Sequence, residues 1–192
     1  MKIIILGPPA AGKGLQGELL AKKLGLPRLS TGALLRRIWQ ERGKRGEEIG
    51  KYMSQGLNVP AVLLFEILTP WFIEHNEGFV ADNLPRNLEQ LQEFKKFLRK
   101  SGIKIDKVFH LNVSENEIVT RIARRRKENL KEGKVRPDEE PEVVKTRIKE
   151  GYKKEIAPIL DFFRKMGVLV EINGGQSTKK VHEQILKNLE LE

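Results

Sequence analysis

A chain of 192 residues with 39% apolar content suits one domain, with small insertions, around a real core. It contains no cysteine, which excludes a disulfide framework, thiolate ligation of zinc or iron–sulfur clusters, and a catalytic thiol. The 36 basic residues exceed the 26 acidic ones to leave +10, so nucleotides, nucleic acid or phosphorylated metabolites are the expected class of partner.

In chain order, Lys2–Leu6 is a continuous apolar run, the pattern of a strand buried on both faces. The Gly-rich GPPAAGKG after it opens an amphipathic stretch at Leu15–Leu24. Pro27–Leu29 is a second short strand. Ser30 or Thr31 is then placed to cap a helix through Leu34, Leu35 and Trp39, which Gly43 and Gly46 punctuate. A shorter helix through Met53 stops at Gln55–Gly56, and Pro60 starts an apolar helix to about His75, with a kink expected at Pro70. Gly78–Asp82 and Val108–Asn112 read as buried strands on either side of a helix at Leu88–Leu98. Ser114 with Glu117 forms a capping-box signature for a helix through Ile118 and Ile122 that runs into a basic segment. Glu142–Met166 is helical with a break expected near Pro158, Val168–Ile172 is a fifth strand, and Thr178–Leu189 is a closing helix.

Strands alternating with helices predict an α/β fold, a five-stranded parallel sheet with helices on both faces and ligands at the carboxyl ends of the strands. Two stretches read as excursions from it: the all-helical Arg36–Glu74 region and a Gly/Lys/Glu-rich loop at Lys127–Val135. No apolar run approaches the roughly 20 residues that span a bilayer, and MKIIIL leads into a glycine loop and not a signal-peptide cleavage site. A soluble, cytoplasmic protein with no membrane partner is the expectation.

Gly7-Pro-Pro-Ala-Ala-Gly12-Lys13 matches G-x-x-x-x-G-K between the first strand and the first helix, the context in which that pattern is informative. The loop's N–H groups and the helix N-terminus can cradle phosphate oxygens, and Lys13 brings a point charge to them. A loop that merely turned a strand into a helix would not account for that lysine. Position 14 is Gly, where most P-loop enzymes have the Ser or Thr that ligates Mg²⁺, so a metal must be held by water and by other oxygens. Asp82 closes its strand where a carboxylate would approach the phosphates and their Mg²⁺. Such a residue is otherwise often a helix cap, and the P-loop tips the reading toward the metal. Arg86, after Leu84-Pro85, offers a planar fork to phosphate. Arg121–Arg136 holds eight basic and two acidic residues, which on composition alone reads as a solvated helix face.

Six blocks, GPPAAGKGLQ at 7–16, STGALLR at 30–36, GLNVP at 56–60, GFVADNLPRNLEQ at 78–90, RIARR at 121–125 and RPDEEPEVVKTR at 136–147, follow one another in a characteristic order and spacing. Over nearly the whole chain they resemble the adenylate kinase family of nucleoside monophosphate kinases. The resemblance implies a P-loop core at 1–29, 75–120 and 148–192, a helical insertion for the nucleoside monophosphate at 30–74, and a short lid with its flanking arginines at 121–147. It implies reversible transfer from ATP to AMP with Mg²⁺. Gly7, Pro8, Ala10, Ala11, Gly12, Lys13, Gly14, Leu15, Arg121, Arg125 and Gln176 would hold the donor. Thr31, Gly32, Arg36, Asn58, Val59, Asn83, Arg86, Gln90, Arg136 and Arg147 would hold the acceptor, with Thr31 and Gln90 at its base. Lys13, Asp82, Arg86, Arg125, Arg136 and Arg147 would carry the transfer, Asp82 through water-mediated Mg²⁺, while Asp138 would interact with the basic segment. Such a set suits a reaction that needs charge neutralised, groups aligned and water excluded.

The departures from the family are Leu15 where a hydroxyl is usual, Ala33 for a common Asp, and Asn83-Leu84 in place of Gly-Phe or Gly-Tyr. Only 11 positions separate Arg125 from Arg136 and no Cys lies between them, so a short lid without structural zinc is expected. Pro85-Arg86-Asn87 resembles kinases of UMP or CMP, but those relatives tend to have Asn where Gln90 stands, and AMP is the preferred acceptor. A switch GTPase would need a hydroxyl after the P-loop lysine and an N-K-x-D motif, and neither is present. An RNA-binding module would use the basic segment, yet two Tyr and two Trp offer little stacking surface, so no nucleic-acid partner is expected. A monomer is the default.

Overall fold

A computed structural model of the chain describes residues 1–41, 43–133 and 140–191. Its strands β1 (Lys2–Leu6), β2 (Arg28–Ser30), β3 (Phe79–Asp82), β4 (Lys107–Asn112) and β5 (Leu169–Asn173) form one parallel sheet in the order β2-β3-β1-β4-β5. The expected five parallel strands are all present, each within a residue or two of its predicted limits. Nine α-helices are described: α1 (Lys13–Leu24), α2 (Thr31–Gln40), α3 (Lys44–Met53), α4 (Ala61–Glu74), α5 (Leu88–Ser101), α6 (Glu115–Lys131), α7 (Pro141–Ile148), α8 (Ile156–Lys165) and α9 (Thr178–Lys187).

Both faces of the sheet are covered. In β1, Ile3 and Ile5 join one apolar layer with Leu20 of α1, Ile118 of α6, Val144 of α7 and Ile185 of α9. Ile4 and Leu6 join the other, with Leu68 and Phe72 of α4, Phe94 of α5 and Phe163 of α8. A strand whose alternate side chains both meet helices has no polar face, which is why Lys2–Leu6 reads as unbroken apolar sequence. Helix α4 thus covers the sheet directly, while α2 and α3 pack against each other beside it. Gly46 and Gly50, one turn apart on α3, permit that approach: a Cβ at Gly46 would lie 2.6 Å from the Ile38 carbonyl oxygen, and one at Gly50 would lie 2.4 Å from Trp39 Nε1. Among the described residues, no helix is long and apolar enough to cross a membrane.

The helix expected from Pro60 to about His75 is present as α4, with Pro70 inside it. The break expected near Pro158 falls at Lys154–Glu155, after a π-helical turn over Lys149–Lys153, and Pro158 sits in the first turn of α8, where its missing N–H costs no hydrogen bond. The loop expected from Lys127 is helix through Lys131, continuing α6 past the Arg124–Glu128 pair at 3.7 Å, and Val135 lies outside the described residues.

Candidate active site

The β1–α1 loop lies at the carboxyl ends of the strands, beside the crossing from β3 to β4. Gly12 (φ +93°) and Ala10 (φ +57°) turn its backbone sharply before α1. Lys13 Nζ donates to the Gly7 and Pro8 carbonyls at 2.9 and 2.7 Å. Burial pushes this ammonium down to about 7; Asp82 pulls the other way, and Arg86, Arg147 and Arg125 add to the depression. The charges that act on Lys13 are therefore an acid and three arginines picked out in the sequence from three separate segments. Gly7 itself lies under the loop, where a Cβ would stand 2.8 Å from the Leu111 carbonyl oxygen.

A cleft of about 880 Å³ opens above the loop. Ala10, Ala11, Gly12, Lys13, Gly14, Leu15, Gly32, Arg36, Asp82, Asn83, Arg86, Arg121, Arg125, Arg147 and Gln176 line it. Thr31, Asn58, Val59 and Gln90 stand outside that lining, as do Gly7 and Pro8. Arg136 and Asp138 lie outside the described residues.

Asp82 is 5% exposed at the end of β3. Its Oδ1 accepts from Ser30 Oγ at 3.2 Å, its backbone carbonyl accepts from Thr31 Oγ1 at 2.8 Å, and Arg28 Nη2 stands 3.5 Å from Oδ2. The hydroxyls expected to cap α2 are thus drawn to Asp82, and Ser30, at the N-cap, makes no side-chain cap bond. No group of three or more metal-ligating side chains occurs among the described residues. A lone hard carboxylate beside a phosphate loop still fits magnesium, which keeps several waters and takes other oxygens from bound phosphates.

Gln90 is buried and both ends of its amide are engaged. Its Oε1 accepts from Arg86 N–H at 3.0 Å and its Nε2 donates to the Val59 carbonyl at 3.0 Å. In this arrangement Gln90 ties Arg86 to the α3–α4 connection. Asn83 has φ +65°, a left-handed backbone that Asn adopts more readily than most residues, so the family's usual Gly has a workable replacement here. Arg121 donates through Nε to Glu117 at 2.8 Å and through Nη2 to the Gly174 carbonyl at 2.9 Å, joining α6 to the loop after β5. Gln176 accepts from Gln184 Nε2 at 3.1 Å.

The adenylate kinase family model matches residues 5–168. An adenylate kinase of Leptospira biflexa serovar Patoc is 33% identical over 190 residues, covering 98% of this chain and 99% of the relative. Adenylate kinases of Methylorubrum populi and Brucella ovis are 38% and 36% identical, over 91% and 96% of this chain and 88% and 96% of theirs. The chain belongs to the adenylate kinase family. The parallel sheet with its P-loop is the fold that membership calls for, and the protein is an enzyme of that class.

Sequence reasoning missed Arg28, Gln16, Glu117, Thr120, Arg124, Ser177 and Thr178, all of which line the cleft. Arg28 alone carried a usable signal, a charge within a short run read as a strand. Gln16 reaches the cleft from the first turn of α1, and the others because α6 and the start of α9 lie across the strand ends.

Proposed function

We propose that the enzyme carries out its family's reaction, ATP + AMP ⇌ 2 ADP, by neutralising charge with residues that converge on Lys13. The observation that carries the reading is that convergence: Asp82, Arg86, Arg125 and Arg147 all act on one buried ammonium at the mouth of the phosphate loop. The loop holds the donor phosphates through its N–H groups, and Lys13 leaves the Gly7 and Pro8 carbonyls to meet the transferring phosphoryl group. Arg36 and Arg86 grip the acceptor phosphate, whose oxygen attacks the γ-phosphorus as the bond to the β-phosphate oxygen breaks. No proton has to move, so no general base is required. Arg125 and Arg147, with Arg136 in the lid, stabilise the equatorial oxygens. Magnesium, when bound, screens the donor phosphates, and Asp82 and Ser30 are the groups placed to hold its waters.

The domain reading goes with this: a core at 1–29, 75–120 and 148–192, an acceptor insertion at 30–74 whose α4 also roofs the sheet, and a lid region at 121–147 that closes over both nucleotides. A monomer acting in the cytoplasm, on ATP and AMP alone, completes it. Lys13→Ala and Arg86→Ala should each lower turnover by at least about a hundredfold with the fold intact. Losses under threefold at both positions would sink the assignment.

A pyrimidine acceptor is the second reading, because the Gln90 amide is already bonded to Val59 and Arg86 and so has less left for a base. Each end of the amide keeps one further bonding position, enough to read a purine edge. In a coupled assay AMP should exceed UMP and CMP in kcat/KM by at least about tenfold. Equal use of UMP would promote the second reading.

A further inference from the structure

Arg28 reaches the heart of the cleft from an unexpected direction. β2 and β3 run in register with Ser30 opposite Asp82 and Arg28 opposite Val80, so Arg28 lies two residues back from Ser30 on the same face of the strand. From there its guanidinium runs under the start of α1. Gly14 and Gly17, one turn apart, leave it room: a Cβ at Gly14 would lie 3.3 Å from Nη2, and one at Gly17 would lie 3.2 Å from Nε. The flank of position 14, where P-loop enzymes more often carry a metal-binding hydroxyl, is here taken by a cation.

That cation sits between two carboxylates. Nη2 is 3.5 Å from Asp82 Oδ2, and Nη1 is 3.9 Å from Glu18 Oε2 at the cleft rim. The Nε hydrogen is buried with no hydrogen-bond partner, so the group is not locked in place by a full set of bonds. Asp82 is almost wholly buried, where an uncompensated carboxylate is costly, and Arg28 supplies a compensating charge in the absence of metal.

We propose that Arg28 is a built-in counter-cation for Asp82 that competes with magnesium, and thereby sets how strongly ATP binding depends on the metal. The inference rests on the reading of Asp82 as the carboxylate on the magnesium side. Without magnesium, Arg28 covers Asp82 and spares the entering polyphosphate a bare negative charge. With the metal complex bound, the guanidinium turns toward Glu18 and frees Asp82 for the waters of the ion. Arg28 is therefore a positioning residue.

Calorimetric titration with ATP, in excess MgCl2 and in EDTA, gives for each variant the ratio of the dissociation constant in EDTA to that in MgCl2. Arg28→Gln should raise that ratio at least about fivefold over the wild type, chiefly by weakening metal-free binding, because Asp82 then faces the phosphates uncovered. Arg28→Lys should stay within about twofold of the wild type, and the double variant Arg28→Gln/Asp82→Asn should show the ratio of Asp82→Asn alone. Because both measurements use the same folded sample, a loss of stability does not move the ratio. Equal weakening in both buffers would make Arg28 a plain phosphate contact, and no change in either would make it structural. Each of these results overturns the proposal. If Asp82→Asn keeps the wild-type magnesium dependence, the assignment of Asp82 fails first and the role of Arg28 falls with it.

Discussion

Burial and charge act in opposite senses on Lys13. Desolvation and the neighbouring Arg86, Arg147 and Arg125 bring its ammonium down to about 7 against the pull of Asp82. In the free enzyme Lys13 is thus mostly neutral at pH 8 and mostly charged at pH 6. A polyphosphate beside it favours the charged form and returns its proton affinity toward normal. ATP binding at pH 8 should therefore take up close to one proton, and at pH 6 nearly none, read from the buffer dependence of the binding enthalpy. The uptake at pH 8 should vanish in Lys13→Ala; persistence there would assign the proton to another group. Residues of this kind were legible because their motif carries its own chemistry: a lysine after a glycine loop and an arginine after Leu84-Pro85 announce phosphate. Arg28 was not, because its role depends on the pairing of β2 with β3 and on the room above Gly14 and Gly17, which are brought together only by the fold. The internal bonds of Gln90 were not legible for a related reason, since the backbone groups it binds, at Val59 and Arg86, come from different segments.

At the level of elements, periodicity located strands and helices well because each apolar stripe had one layer to face. Boundaries were less legible. Ser30 and Thr31 look like helix caps, but Asp82 lies across the sheet and takes both hydroxyls. Pro158 does mark an interruption, at Lys154–Glu155 just before α8, but the π-helical turn over Lys149–Lys153 that precedes it has no sequence mark of its own. The crossing of α2 and α3 was likewise invisible until Gly46 and Gly50 were seen against Ile38 and Trp39. Helix propensity favours Ala over Gly by about 1 kcal/mol, so an exposed site would gain from Gly50→Ala. Here the added methyl meets the Trp39 ring, and overpacking of about 1–3 kcal/mol should prevail. Gly50→Ala is expected to lower the midpoint of thermal unfolding and to raise the KM for AMP more than that for ATP, because α2 carries Arg36. A raised midpoint with unchanged KM would mean the two helices part easily.

Across the whole molecule, the α3–α4 connection already touches α7. A Cβ at Gly56, between α3 and α4, would lie 2.6 Å from the Val143 carbonyl oxygen and 3.0 Å from Arg147 Cγ on α7. The α3–α4 connection and α7 therefore share a contact beside the cleft, and ordering one should help to order the other. Arg121 and Arg125 of α6 and Arg147 of α7 line one cleft, and under the proposed function nucleotide phosphate should draw them together and close it to water. Helix α4 stands apart from this motion although it belongs to the same connection: Leu64, Leu68 and Phe72 are locked into the layer that also holds Ile4 and Phe163. A two-substrate mimic, two adenosines joined through five phosphates, should accordingly slow amide hydrogen exchange in α2, α3, the Arg121–Lys131 half of α6, and α7. Exchange in α4 should change little, and in β1 least, because their protection in the free enzyme already reflects the core. AMP alone should extend some protection from α2 and α3 to α7 through the Gly56 contact. If saturating mimic leaves α2, α3 and α6 unchanged, the closing motion is absent even where phosphoryl transfer is confirmed; if α4 slows as much as α3, the insertion moves as one body and its roof is not part of the core.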